Sequence, residues 1–448
     1  MEHKYIVAIE IGSSHIRAAA GVVDENGDLT ILAVEDEYTV DAVRYGWIQN
    51  VEEVSSRINK LIRKLENYQS ISPRKIKSVY VSIGGRSMMA TSRQITRQFE
   101  DEIEITSRII DQIKGEAQNS GLSEREVIEI MPREFMIDNM ENINPIGSFG
   151  KNIRADINLI TCKPVIHKNI NRTITDRQAI NIKGIYVRQT AIADLVLSAD
   201  EKKLGCMLVD FGAETTGVSI YKNGSLQYFV TLPIGSRNIT RDIMSLNYTE
   251  ERAEELKRII GDAKNAEPNI RKNEFDGDPV EVNNYVRARA GEIAANILEQ
   301  AKYAGYTNLH DLPCGIIVVG GGAKLKGFAE LLMQQSNVSQ QNNIRVRLGG
   351  IPANIRISDT RLSSIDMLDV ISLLYKASKN NPQECTETIV PIADTNDLVE
   401  DIDDGPGPQP IKKQPKVKGP SLWNKLRDKA IGTARGIFDE PDEEDDNQ

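Results

Sequence analysis

One local pattern occurs twice in this chain, about two hundred residues apart, and that duplication constrains the fold more than any other feature. Glu10-Ile11-Gly12-Ser13-Ser14 ends one apolar run, a second run follows, and Asn26-Gly27 turns the chain back. Met207 to Val209 lead into Asp210-Phe211-Gly212-Ala213-Glu214-Thr215-Thr216, then Val218 to Tyr221 and Asn223-Gly224. Each copy reads as a strand, a tight glycine turn carrying hydroxyls, and a second strand that closes through an Asn-Gly hairpin. Such a turn aims backbone N–H groups and hydroxyls at one point, as a phosphate requires. Glu10 and Asp210 each stand two residues before the glycine, in runs that otherwise read as buried, where an unpaired charge is costly. A carboxylate there wants a cation or the water shell around one, and Mg²⁺, held by one or two carboxylates plus phosphate oxygens, fits. Either copy alone reads more readily as an ordinary hairpin. Together they suggest pseudo-symmetric halves gripping a polyphosphate and its metal.

A third stretch runs from Gly315 through Val318 and Val319 to Gly320-Gly321-Gly322-Ala323-Lys324, then into Phe328 and a helical pattern. It reads as a buried strand, a glycine turn and a helix start, which lets the backbone approach a flat ring or a phosphate closely. Three glycines alone carry little weight, but placed after the two hairpins, in this order, they carry much.

The three stretches resemble the actin, Hsp70 and sugar-kinase superfamily, with its phosphate-1, phosphate-2 and adenosine motifs in sequence. Within it the chain resembles the FtsA family of bacterial cell division. Ser78 to Gly85, Met131 to Asp138 and Asn144-Pro145-Ile146-Gly147 look like the strands around that family's inserted subdomain. Leu232 to Ile243 is similar to its helix entry after the second hairpin, and Ala253 to Lys257 to its nucleoside-facing helix. The resemblance implies an α/β, two-lobed actin-like ATPase fold with an FtsA-type insert, then a disordered tether and an amphipathic C-terminal helix. It implies ATP and Mg²⁺ as ligands, the metal held through water by Glu10 and Asp210. It implies nucleotide contacts from Gly12, Ser13, Ser14, Asp210, Gly212, Thr215, Thr216, Glu254, Lys257, Gly320, Gly321, Gly322 and Lys324. No catalytic residue is assigned.

Three positions depart from the pattern. Glu10 stands where actin and Hsp70 carry Asp, and Glu214 and Ser236 stand where glycine is usual. A carboxylate inside the second phosphate loop repels phosphate unless it points away, so hydrolysis is less secure than binding, a weak ATPase activity at most. Glu254 and Lys257 are three apart and so share a helical face. Alone they read as a solvated ion pair, and the resemblance moves them towards ribose and adenine. Arg289 and Glu292 are similarly spaced and read as surface pairing or a partner groove.

On these patterns residues 1–84 and 163–200 make the first lobe, with 85–162 inserted. Residues 201–245 and 304–385 make the second lobe, and 246–303 a helical subdomain. The length of 448 residues and an apolar content of 40% suffice for several cores. Cys162, Cys206, Cys314 and Cys385 lack CxxC spacing, and the four histidines lack ligand spacing, so neither a disulfide framework nor a zinc site is indicated. The net charge of −10, without a basic stripe or aromatic RNP pattern, argues against a nucleic-acid partner. No apolar leader and no run of eighteen apolar residues occurs, so the expectation is a cytoplasmic protein that does not itself span a membrane.

Beyond residue 385 the core pattern stops. Residues 386–420, with Gly405-Pro406-Gly407-Pro408 and Lys412, Lys413, Lys416 and Lys418, read as a disordered linker. Residues 421–438 return to helical periodicity, with Leu422, Trp423, Leu426, Ile431, Ile437 and Phe438 on one half of the wheel. Residues 439–448 are an acidic tail with seven carboxylates. A short, basic helix led by tryptophan beyond a linker reads as an interfacial membrane helix, with a partner groove as the competitor.

Two classes of function remain. The first, implied by the resemblance, is an ATP-binding, polymerising scaffold that recruits FtsZ to anionic lipid on the cytoplasmic face of the inner membrane at the division site. FtsZ's C-terminal tail would dock on 246–303, and other division-ring proteins would join. The alternatives are a PilM-like scaffold, or an enzyme of the kinase or Hsp70 kind. No candidate base lies outside the phosphate loops, and no β-rich substrate domain follows the second lobe.

Overall fold

The computed structural model describes residues 3–39, 41–119, 124–267, 278–340, 344–358 and 364–388. The linker, helix and tail expected at 386–448 therefore lie outside the described residues, except for 386–388.

Lys4–Ile11, His15–Val23 and Leu29–Tyr38 form an antiparallel meander, because the glycine turn after Ile11 and the Asn26-Gly27 turn each reverse the chain. Ser78–Ile83 and Asn181–Val187 add parallel strands beside Lys4–Ile11, and Arg356–Ile357 pairs with Leu29–Tyr38 at the other edge. The second sheet repeats the plan. Cys206–Phe211, Thr216–Lys222 and Ser225–Leu232 form the meander, and Ile316–Val319 and Val346–Leu348 extend it in parallel. The repeat seen in two short sequence stretches thus extends to whole sheets.

Alternation along the strands decides which core each side chain joins. Cys206 and Leu208 face the apolar cluster built around the first sheet, as do Ile317 and Val319. Met207, Val209, Phe211, Ile316 and Val318 face the second cluster, with Ile239, Leu256 and Ile293. The helix Arg188–Val196 packs between helix Leu368–Lys379 and the sheets, and is buried almost all round: Gln189 to Ala193, Leu195 and Val196 are all inside. That explains its lack of a polar face.

The helix Val51–Glu66 covers the outer face of the first meander. Asn50 caps it by accepting from Glu53 N–H, Glu52 and Glu53 sit in its first turn, Arg63 and Lys64 in its last, and Val54, Ile58, Leu61 and Leu65 make its buried stripe. The helical segment of the second half contains Glu250–Ile259, capped by Thr249, and Pro279–Tyr303, capped by Asp278 with proline at its first position.

Between Ser78–Ile83 and Pro164–Asn171 the chain makes a separate four-stranded sheet, in the order Met140–Glu141, Glu126–Ile137, Phe149–Cys162, Met89–Glu104. Helix Ser107–Asn119 lies on it, and Ile105, Ile113, Phe135, Ile153, Ile157 and Leu159 close a core of their own. Glu129 ties this sheet to the first lobe, accepting from Val187 N–H at 3.1 Å, Lys376 Nζ at 2.8 Å and the Thr190 hydroxyl at 2.7 Å. Asn158 donates to the Leu226 carbonyl at 2.7 Å, and the Ser225 hydroxyl donates to the Arg133 carbonyl at 2.8 Å, so the insert also touches the second lobe.

Candidate functional site: a cleft with two matched turns

The two glycine turns have the same geometry. Gly12 N–H donates to the His15 carbonyl at 3.0 Å, and Gly212 N–H donates to the Thr215 carbonyl at 2.9 Å. A Cβ on either glycine would sit 2.8 Å from that carbonyl, so only glycine closes the turn. Each turn is braced from behind. Thr39 N–H donates to the Ser14 carbonyl at 2.7 Å, and Ser236 and Arg237 N–H donate to the Gly212 and Ala213 carbonyls at 2.9 and 2.7 Å. The third turn is as constrained. Gly320 has φ +90°, and a Cβ there would lie 2.6 Å from the Phe211 carbonyl oxygen and 2.8 Å from Asp210 Oδ1.

All three turns open on one cavity of about 490 Å³. Of the expected residues, Glu10, Gly12, Ser13, Ser14, Asp210, Gly212, Glu254, Lys257, Gly320, Gly321, Gly322 and Lys324 line it. Thr215 and Thr216 do not: both are buried, and the Thr216 hydroxyl donates to the Ile234 carbonyl at 2.7 Å, tying the strand to the next helix entry. The turn pattern made both hydroxyls read as phosphate ligands, whereas strand pairing of Thr216 with Phe211 and Leu232 commits it to the sheet. Ser13 keeps one hydroxyl contact inside the protein, accepting from Gly46 N–H at 3.1 Å.

Glu254 and Lys257 are not a solvated pair. Lys257 Nζ lies 2.6 Å from Glu254 Oε2 and donates to the Thr240 hydroxyl at 2.9 Å and the Ser236 carbonyl at 3.2 Å. Burial lowers the Lys257 pKa against the pull of Glu254, and burial of Glu254 is outweighed by Lys257, which holds its pKa below the usual carboxylate value. Lys324 pairs with Asp366 at 3.1 Å at the rim. Arg289, read with Glu292 as surface pairing or a partner groove, does pair with Glu292 and also grips Asp242 with two nitrogens at 2.6 and 3.0 Å.

Glu214 points away from the cavity. Its Oε1 accepts from Arg44 Nε at 2.7 Å, Arg241 Nη2 at 3.0 Å and Arg237 Nη1 at 3.4 Å, and its Oε2 accepts from Tyr45 N–H at 2.7 Å. Its side chain is wholly buried. The carboxylate that would repel a phosphate is neutralised by three guanidiniums and joins the second turn to the first lobe.

The floor of the cleft holds what the sequence reading missed. Arg188, the first residue of its helix, puts Nη1 3.3 Å from Glu10 Oε1 and Nε 3.1 Å from Asp210 Oδ2. Arg17 stands opposite Glu10 in strand register, 3.9 Å from its Oε2 and 2.9 Å from Asp369 Oδ2. Burial pushes the Glu10 pKa up to about 8, with Asp369 adding to it and Arg188 and Arg17 opposing. Burial raises the Asp210 pKa also, against Arg188. For Arg188 burial opposes the charge, but Asp210, Glu10 and Asp369 more than offset it and raise its pKa. The tight turn that pairs Glu10 with Arg17 could have exposed Arg17 by counting register. Nothing local announces Arg188 or Asp369, which arrive from distant helices.

The expected metal is therefore poorly matched by the side chains. Where a hydrated cation would sit between Glu10 and Asp210, a guanidinium already contacts both. Among the described residues no three His, Cys, Asp or Glu side chains gather to hold a metal ion.

Two sheets of the same plan, each ending its first strand in a matched glycine turn over a shared cleft, define an actin-like protein. Two family models match in tandem: "SHS2 domain inserted in FTSA" over residues 85–161 and "Cell division protein FtsA" over residues 207–365. The cell division protein FtsA of Porphyromonas gingivalis is 29% identical over 98% of both chains, and that of Pseudomonas aeruginosa 26% identical over 84% of this chain and 90% of its own. A chain of the PilM-PilN type IV pilus biogenesis complex superposes with a TM-score of 0.61 at 14% identity, covering 83% of this chain and 98% of that one, a likeness of fold. The chain belongs to the FtsA family of cell-division proteins.

Proposed function

We propose that this chain binds ATP in the cleft, assembles with copies of itself, and tethers FtsZ filaments to the cytoplasmic face of the membrane at the division site. The observation that carries the nucleotide part is the convergence of three glycine turns on one cavity. Phosphates would lie against the Gly12 and Gly212 turns, and the nucleoside between Gly320–Gly322 and the Glu254–Lys257 helix face. The lining carries six cationic side chains, Arg17, Arg188, Lys257, Arg258, Lys324 and Lys326, beside Glu10, Asp210, Glu254, Asp366 and Asp369, and Lys326 is also held by Asp262 at 2.9 Å, so the cavity offers cationic donors to a phosphate without a large net charge. Membership in the FtsA family supports the division-ring partners, with the FtsZ tail on 246–303 and polymer contacts through the insert. Membrane attachment rests on residues 421–438, which lie outside the described residues. Among the described residues no helix is long and apolar enough to cross a membrane. The pilus-scaffold reading shares the fold, but the tandem family matches favour division.

Titration calorimetry of the intact chain with ATP tests the cleft, and co-sedimentation with anionic liposomes and FtsZ, with and without ATP, tests the tether. Saturable ATP binding and ATP-enhanced recovery of FtsZ with the lipid are expected. Absence of ATP binding refutes the first part; recovery of FtsZ with lipid no better than without this chain refutes the second.

A further inference from the structure

The side chains at the floor of the cleft leave one matter open: what carries positive charge to the phosphates. We propose that Arg188 is the resident cation of this cleft, its guanidinium standing between Glu10 and Asp210 in the position of a divalent metal, so that a nucleoside triphosphate binds here without Mg²⁺. The inference rests on the reading of the cleft as a nucleotide site.

Three observations carry it. Arg188 contacts one carboxylate from each half of the pseudo-symmetric pair, Glu10 at 3.3 Å and Asp210 at 3.1 Å, and thereby takes up the two groups a metal's water shell needs. A divalent ion brought to the same point would face a fixed like charge at close range. Next, the bonding of the group is incomplete in a directed way. The 3.1 Å approach to Asp210 is an ion pair without hydrogen-bond alignment, so Arg188 Nε, Asp210 Oδ2 and Glu10 Oε2 are buried without hydrogen-bond partners. Such groups are costly when left unmade, and Arg188 lines the cavity, so a phosphate oxygen is a suitable acceptor for the guanidinium N–H groups not turned to Glu10 or Asp210. Last, the guanidinium is seated rather than free. A Cβ built on Gly84 would already lie 3.5 Å from Arg188 Nε and Cβ, so the chain leaving strand Ser78–Ile83 forms one wall of its slot.

A planar, permanently charged donor differs from a metal in what it offers. Arg188 can orient phosphate oxygens through fixed N–H groups, but it supplies no exchangeable water shell and no site for Mg²⁺ between phosphate and carboxylate. Arg188 is thus a ligand-binding residue, and Glu10 and Asp210 are its positioning residues.

The test is ATP titration of the full chain by calorimetry, in Mg²⁺ and in EDTA, for wild type and Arg188→Gln. Wild-type dissociation constants within about threefold of each other in the two buffers are expected, and Arg188→Gln should bind ATP about 10- to 100-fold more weakly in EDTA. In the variant Mg²⁺ should recover part of the loss, because the guanidinium that contacts both carboxylates is then gone. Wild-type binding at least about tenfold tighter with Mg²⁺ overturns the proposal, as does a folded Arg188→Gln protein that binds ATP in EDTA as well as wild type does. Should the variant fail to fold by circular dichroism, the wild-type comparison decides alone. ATP binding in neither buffer removes the nucleotide reading and this inference with it, whereas binding that needs Mg²⁺ removes this inference only.

Discussion

Buried charge organises this molecule residue by residue, and Glu214 shows how. One carboxylate with no exposed surface satisfies Arg44 from the first lobe and Arg237 and Arg241 from the second. Removing one partner of such a cluster leaves the others uncompensated, so Glu214→Ala should cost about 2–3 kcal/mol, towards the lower end because Arg44 and Arg241 are each about one-third exposed. Urea unfolding followed by fluorescence measures it, and a loss under about 1 kcal/mol would show that the cluster is ornamental. Asp262 gives a pH-dependent counterpart. Burial alone would raise its pKa, but the Asn265 backbone N–H, the Asn265 side chain, Lys326 and the Lys264 N–H outweigh burial and hold it well below the usual value. A depressed folded-state pKa means stability that is fully present above the unfolded value of about 4 and is lost as pH falls below it. Asp262→Asn should be less stable than wild type at pH 7, and the gap should narrow as pH is lowered from 5 to 3. A gap that stays constant over that range would refute the assignment. Neither cluster was legible beforehand. The sequence shows Glu214 inside a phosphate-type turn but not the arginines that face it, the farthest of them 170 residues away.

At the scale of elements, legibility followed locality. The glycine turns and the Asn-Gly hairpins were readable because each is settled within about ten residues of chain. The insert was visible as a stretch with its own helix and strand patterns, but its anchors were not, since Glu129 reaches Val187, Thr190 and Lys376, and Asn158 reaches Leu226. Those anchors make the insert part of the frame rather than an appendage held at its two ends. Glu129→Ala should strip an acceptor from a backbone amide, a hydroxyl and an ammonium at once, costing about 2–3 kcal/mol. Because the loss is local, amide exchange at Val187 should accelerate by about 10- to 100-fold while amides of the Val51–Glu66 helix are unaffected. Equal acceleration of both would mean that the link between insert and lobe is global rather than local. Thr215 and Thr216 show the opposite failure: a local motif suggested ligand hydroxyls, and sheet pairing claimed one of them.

For the whole molecule the open question is attachment, and magnitudes decide how it must work. Full burial of a large apolar side chain contributes about 1.5 to 3 kcal/mol. Partial immersion of Leu422, Trp423, Leu426, Ile431, Ile437 and Phe438 would give about 6 to 9 kcal/mol gross. Folding a short helix at the surface consumes much of that, leaving a weak affinity for a single chain. Lys412, Lys413, Lys416 and Lys418 add up to about 1 kcal/mol each near anionic lipid, while the seven carboxylates after Phe438 oppose them. On the proposed tethering reading a lone segment of this kind would not hold a filament at the membrane, and several would have to act together. Linking them through the proposed polymer contacts would raise the effective affinity by about 10² to 10⁴. Attachment should therefore be much stronger with ATP under polymerising conditions than for dilute monomer. Trp423→Glu puts a charge in the apolar half and should release the chain from anionic liposomes while ATP binding in the cleft survives, because the described residues that line the cleft fall between Glu10 and Asp369. Co-sedimentation with liposomes and calorimetry on the same preparation read both halves. If the substituted chain sediments with liposomes as fully as wild type does, residues 421–438 dock on a partner protein and the membrane reading fails.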